Sequence, residues 1–94
     1  MDKKTEEFYI RLKEELNNST LWPSEYLFKF IVPSEKHKIE TVESAFNNMG
    51  AVITTQPSKT GKYTGISINV KMKNADTVIE KYKELSSIEG IVSL

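Results

Sequence analysis

The chain has 94 residues, 13 basic against 13 acidic, and no cysteine. That length makes one domain with a single core, for which a stability of about 5–14 kcal/mol is expected. The cancelling charges lack the basic excess by which nucleic-acid binders neutralise phosphate, and the missing cysteine excludes disulfides, thiolate metal sites and a cysteine nucleophile.

The opening MDKKTEEF holds no apolar h-region, so no secretory signal is expected. No apolar run approaches the 18 or so residues needed to cross a bilayer. These features predict a soluble, cytoplasmic protein with no membrane partner.

Residues 3–17 read as a helix, with Phe8, Leu12 and Leu16 recurring on one narrow face. Glu7 and Arg11 are spaced for an i,i+4 ion pair. The stripe predicts a helix lying on the domain and fraying at its margin. Asn17-Asn18-Ser19 ends it, and Pro23 disfavours helix at Trp22. Trp22, in LWPSEY, is expected to bury its ring and pin the leading helix; an exposed partner anchor is the alternative reading. Residues 1–23 are thus a helix and linker, and 24–94 the domain proper.

Tyr26 to Val32, YLFKFIV, is aromatic and β-branched as a strand should be. Tyr26, Phe28, Phe30 and Val32 share one face; Leu27, Lys29 and Ile31 share the other. Pro33 closes the strand and Ser34 is read as the N-cap of the next helix. In that helix Ile39, Val42, Ala45, Phe46 and Met49 fall on one side, and Gly50 suits a left-handed C-terminal cap. Ala51–Gln56 reads as a second strand. A third alternates cleanly, with Ile66, Ile68, Val70 and Met72 on one face and Gly65, Ser67, Asn69 and Lys71 on the other. Asn74 caps a further helix, and Asp76 sits where it meets the helix dipole. Ala75, Val78, Ile79, Tyr82 and Leu85 form its buried side. GIVSL supplies a last short strand.

After the leading helix the order is βαββαβ. Right-handed crossovers place both helices on one face of an antiparallel sheet. The expected fold is therefore α+β: a ferredoxin-like βαββαβ sandwich, with a four-stranded antiparallel sheet, two helices on one face and an added N-terminal helix. One-sided alternation is what such a sheet requires. The inward set is Phe28, Phe30, Ile66, Ile68 and Val70.

The segment PSKTGKYTGISINV, Pro57 to Val70, contains the TGK of a nucleotide-binding loop. A phosphate-binding loop needs GxxxxGK[ST] between a strand and a helix. Here Gln56 stands at the first glycine, Tyr63 at the magnesium-binding hydroxyl, and a strand follows. No helix N-terminus then points at a phosphate. Pro57 to Lys62 is instead the connection of a hairpin, with Gly61 supplying its positive φ.

These positions together resemble a family. Tyr26, Phe28 and Lys29 in the first strand, Pro57, Ser58, Gly61 and Tyr63 in the hairpin, Ser67 and Ile68 in the third strand, Tyr82, Glu84 and Leu85 in the last helix, and the terminal Leu94 are similar to the bacterial YbeD-like proteins. These are small uncharacterised proteins, some labelled lipoic-acid-binding regulatory proteins. The resemblance covers about residues 12–94 and is most specific in the PSxxGxY hairpin. It implies a βαββαβ fold similar to ACT regulatory domains and no established catalytic residue. It also leaves a homodimer open, since ACT-like sheets pair side by side. The chain departs from the family at Gly65, where a larger polar residue is usual, and in a shorter last strand.

Three functions follow as expectations. The first is a non-enzymatic regulatory or adaptor module that binds a small-molecule ligand or a protein. Its surface would be the hairpin residues Lys59, Thr60, Lys62 and Tyr63 with Lys29, Ser67, Asn69 and Lys71 on the uncovered sheet face. The second is RNA binding in the manner of an RNA-recognition motif, which shares the βαββαβ order. That motif needs stacking aromatics on the outer face of its central strands, and only Tyr63 is offered. The third is a small enzyme. His37 is the only histidine and Arg11, in the leading helix, the only arginine. Ser34, Ser58 and Ser67 lack a nucleophile-elbow context, and no acid–base–nucleophile set converges. No catalytic residue, metal ligand or cofactor is therefore expected.

Overall fold

The computed structural model describes residues 3–94. Its elements are α1 (Lys3–Ser19), β1 (Ser24–Pro33), α2 (Lys36–Ser44), β2 (Val52–Pro57), β3 (Tyr63–Met72), α3 (Ala75–Leu85) and β4 (Val92–Ser93). The strands form one sheet in the order β2-β3-β1-β4, and every neighbouring pair is antiparallel. This is the ferredoxin-like arrangement, with an N-terminal helix added.

The period of two in β1 and β3 decides the core. Register pairs Tyr26 with Val70, Phe28 with Ile68, and Phe30 with Ile66, so the apolar sets of both central strands fall on one side. There they meet Val42 and Phe46, and Ala75, Val78 and Leu85 of α3, in one buried cluster. The expected inward set, Phe28, Phe30, Ile66, Ile68 and Val70, is buried throughout. Aromatic rings dominate its centre: Phe28 touches Phe30, Phe46 and Tyr82 with centroids 5.9, 5.0 and 5.3 Å away.

Helix ends follow local chemistry. Asn74 Oδ1 accepts from the Thr77 amide at 2.9 Å, and the Thr77 hydroxyl returns toward the Asn74 amide, a complete capping box. The expected Ser34 cap does not form. Glu35 is the N-cap of α2 and makes no side-chain cap bond. Ser34 is drawn into the sheet instead, its hydroxyl 2.7 Å from that of buried Thr64. A buried hydroxyl must be paired, and that demand outranks a cap that water can satisfy. α2 ends at Ser44, short of its apolar stripe; Phe46 and Asn47 continue in i→i+3 turns to Gly50, whose φ is +72°.

α1 runs to Ser19 and lies against α3. Leu16 joins the core and Leu12 packs at its edge. Lys13 pairs with Asp76 at 2.8 Å, and the Lys83 ammonium sits 5.4 Å from the Tyr9 ring centroid. The expected Glu7–Arg11 pair is not among the ion pairs of the described residues. Trp22 packs against the core as expected, before a cis bond to Pro23. Its buried indole N–H has no hydrogen-bond acceptor among the described residues.

Candidate functional site

The helices cover one side of the sheet and leave the other to solvent. Register sorts the uncovered side into rows running across the strands. Val52, Asn69 and Leu27 form one row; Thr54, Ser67 and Lys29 the next; Gln56, Gly65, Ile31 and Val92 a third. Lys71 and Glu25 lie at one end, Tyr63 and Pro33 at the other. The Leu94 amide donates to the Lys29 carbonyl at 2.9 Å, extending the β4 line beside Lys29.

Five of the expected surface residues therefore share one face: Lys29, Tyr63, Ser67, Asn69 and Lys71. Lys29 and Ser67 are direct cross-strand neighbours. Lys59, Thr60 and Lys62 stand apart from them, on the loop beyond the ends of β2 and β3. Strand rise separates Tyr63 from Lys71 by about 27 Å. One small molecule cannot touch both ends; a macromolecular partner can.

The face also holds residues that the sequence reading did not select. Leu27, Val92 and Leu94 are 51%, 50% and 70% exposed, and half-buried Ile31 lies directly beside Val92 in the third row. An aliphatic stripe thus runs along the β1–β4 half, while the polar group Ser67, Asn69 and Lys71 occupies β3. The signal was present in YLFKFIV, whose outward positions carry Leu27 and Ile31 around a single lysine. Alternation alone does not distinguish such a pair from scattered surface apolar residues. Beside the stripe lies a shallow depression of about 430 Å³ lined by Ile31, Gln56, Pro57, Ser58, Tyr63 and Gly65. Gly65 opens it: a side chain there would stand on the outer face above the Gln56 carbonyl.

The hairpin explains itself as structure. The Ser58 amide donates to the Tyr63 carbonyl at 2.8 Å, and the Tyr63 amide to the Ser58 hydroxyl at 3.2 Å. Gly61, at φ +76°, donates to the Ser58 carbonyl at 3.0 Å. The Ser34 amide donates to the Lys62 carbonyl, tying the loop to the end of β1. Ser58, Gly61 and Tyr63 of the PSxxGxY motif thus close the turn. The TGK segment leads into β3, with no helix N-terminus behind it. The exposed charges of Lys59 and Lys62 are left over from that closure.

Among the described residues two groups, Glu35 and Tyr82, are shifted from their ordinary range, and neither lies on the open face. The Glu35 carboxyl is held low by its hydrogen bond to the Lys38 ammonium, at 2.7 Å. Burial, followed by the hydrogen bond to Tyr26, pushes the Tyr82 phenol up. Among the described residues no three His, Cys, Asp or Glu side chains are grouped to hold a metal ion. No described helix is long and apolar enough to cross a membrane.

Comparison with solved structures finds the same architecture in the solution structure of protein HP0495 from H. pylori. The two share 14% sequence identity and a TM-score of 0.63, over 81% of this chain and 86% of that one. At that identity the likeness concerns the fold. No curated protein matches the chain significantly. A family profile described as "Protein of unknown function (DUF493)" matches residues 17–94, spanning the sheet, α2, α3 and the hairpin motif, and the chain belongs to this family, that of the YbeD-like proteins.

Proposed function

We propose that this protein is a non-enzymatic binding module, regulatory or adaptor in role, whose partner docks on the uncovered sheet face. The observation that carries this reading is the aliphatic stripe of Leu27, Ile31, Val92 and Leu94 beside Lys29. Folding does not need these side chains, since the core is complete on the opposite side. Exposed apolar groups rimmed by polar ones are the composition of a docking surface. The length of the patch favours a protein over a small ligand. Its lysines, Lys29 and Lys71 on the face with Lys59 and Lys62 on the loop, outnumber Glu25, so the partner carries an apolar centre and an acidic rim.

A photoreactive residue placed in living cells at Leu27 or Asn69, with a control at Glu80 on α3, tests this. The expected result is one discrete cross-linked protein shared by both face positions, absent from Glu80, and lost when Ile31→Lys is added. Equal cross-linking from Glu80, or none from the face, sinks the reading. A parallel amide-resolved NMR titration with lipoate, octanoate and amino acids examines the small-ligand version. Shifts confined to residues 59–65 and 67–71 would replace the protein partner with a sensed metabolite.

A further inference from the structure

On the helix side of the sheet, where β4 stops short of the full length of β1, a cavity of about 270 Å³ opens between α1, α3 and the sheet edge. Its lining is Phe8, Tyr9, Leu12, Tyr26, Tyr82, Ser93 and Leu94. We propose that this cavity is a binding site for a small neutral apolar molecule carrying one hydrogen-bond acceptor, such as a ketone, ether or ester oxygen.

The size sets the first limit. An apolar cavity of about 150 Å³ is enough for benzene. This one admits a somewhat larger body, on the order of ten non-hydrogen atoms, and falls below the usual drug-sized pocket. The walls set the second. Phe8 and Leu12 present carbon, and the Tyr26 and Tyr82 hydroxyls stand 2.9 Å apart in the lining.

That pair has an arithmetic consequence. Two phenols carry two O–H protons. One lies in the mutual hydrogen bond, and among the described residues each hydroxyl is the other's only partner. The second proton therefore has no acceptor among the described residues and is offered to whatever fills the cavity. An acceptor oxygen satisfies it; a pure hydrocarbon leaves it unmet.

Charge sets the third limit. No lysine or arginine lines the cavity. Tyr9 separates it from a neighbouring depression that holds Lys13 and Lys83, and these are engaged with Asp76 and with the Tyr9 ring. A carboxylate would lose its hydration without gaining a counter-ion. Burial raises the Tyr82 phenol as well, so Tyr82 remains a neutral donor across the physiological range. Since α1 supplies Phe8, Tyr9 and Leu12, an occupant wedges between α1 and the sheet and holds the helix down. The site shares Leu94 with the docking stripe, but its tyrosine pair lies on the covered side, so the double tyrosine variant separates it from that reading.

The test uses three aromatic probes of nearly equal size on the full chain: acetophenone with an acceptor oxygen, isopropylbenzene without one, and benzoate with a charge. Binding is followed by amide and methyl NMR. Acetophenone is expected to shift Phe8, Leu12, Tyr26, Tyr82 and Leu94 together and to slow hydrogen exchange in α1. It should bind about 3–10-fold tighter than isopropylbenzene, the worth of one hydrogen bond, with benzoate weakest. Either tyrosine alone can still donate, so the informative variant is Tyr26→Phe/Tyr82→Phe. It should erase the preference for acetophenone while leaving isopropylbenzene within about twofold. Phe8→Ala removes one wall at a half-exposed position and should weaken both neutral probes. Benzoate binding as well as acetophenone, a preference that survives the double variant, or no shifts at about 10 mM probe overturns the proposal.

Discussion

The two faces of this sheet are built from the same strands and differ by one residue of phase. On the covered face Phe28, Ile68 and Phe30 are at most 1% exposed. On the uncovered face their chain neighbours Leu27 and Ile31 are an equally apolar pair without a roof. Hydrophobicity alone therefore does not separate core from surface here. The separation comes from where the crossovers send α2 and α3, and the apolar residues left on the other side are those for which folding offers no partner. This asymmetry makes the open face the candidate site, and three measurements bear on it or on the packing that creates it.

The largest effect should come from crossing the sheet by one residue. Phe28→Ala removes a ring that four other aromatics touch and should cost about 3–5 kcal/mol, a large part of the stability expected for the chain. Leu27→Ala should stay within about 0.5 kcal/mol. Urea unfolding of the two variants reads the difference. Comparable losses would mean that Leu27 is structural and that the docking reading has lost its basis.

A smaller effect should appear in alkali. Tyr82 is raised in the folded state, so it keeps its proton where the unfolded phenol, with a value of about 10, has lost it. Its contribution is complete below that value and is lost as the pH climbs above it. The slope is at most about 1.4 kcal/mol per pH unit, reduced by solvent at a phenol that is only partly buried. Stability measured against pH should therefore fall more steeply above pH ~10 in the parent than in Tyr82→Phe. Identical slopes would show that the Tyr26–Tyr82 pair is open to water and that the covered side is less closed than it looks.

The smallest effect concerns how α3 is held over the covered face. Asn74→Ala breaks the capping box and should cost about 1 kcal/mol, with Asn74→Asp recovering most of it. A loss below a few tenths of a kcal/mol would mean that packing of Val78, Ile79 and Leu85 alone sets where the helix begins.

Much of this molecule was legible in its residues. YLFKFIV and GISINVKM announce their period of two, Asn74 marks a helix start, and the order βαββαβ with right-handed crossovers leaves few sheets to choose from. Gly50, which by its place in the sequence suits the cap of α2, instead lies beyond it, since α2 ends at Ser44 with Ala45 as its cap. The hairpin was legible too, because its turn needs a positive φ, which Gly61 supplies. The candidate surface was legible only in part. Lys29, Tyr63, Ser67, Asn69 and Lys71 could be assigned to one face by counting, since alternation is local. That Lys59, Thr60 and Lys62 stand off that face depends on how the loop closes on Ser58.

Tertiary structure decided the rest. Ser34 fits an N-cap by composition, yet Thr64, thirty residues away, claims its hydroxyl. Gly90 reads only as the first residue of the GIVSL strand; in the fold it lies before β4 at φ +83°, and any Cβ there would come within 2.8 Å of the Pro33 ring, so the approach of the chain to β1 demands it. The meeting of Tyr26 with Tyr82, 56 positions apart, and the cavity they floor arise only when a short last strand leaves part of an edge uncovered. Local pattern is enough to set a residue's side of a strand, because that is fixed by backbone geometry within a few bonds. Which side is roofed, which hydroxyls meet and where a strand falls short are set by contacts between distant segments, and a linear pattern does not contain them.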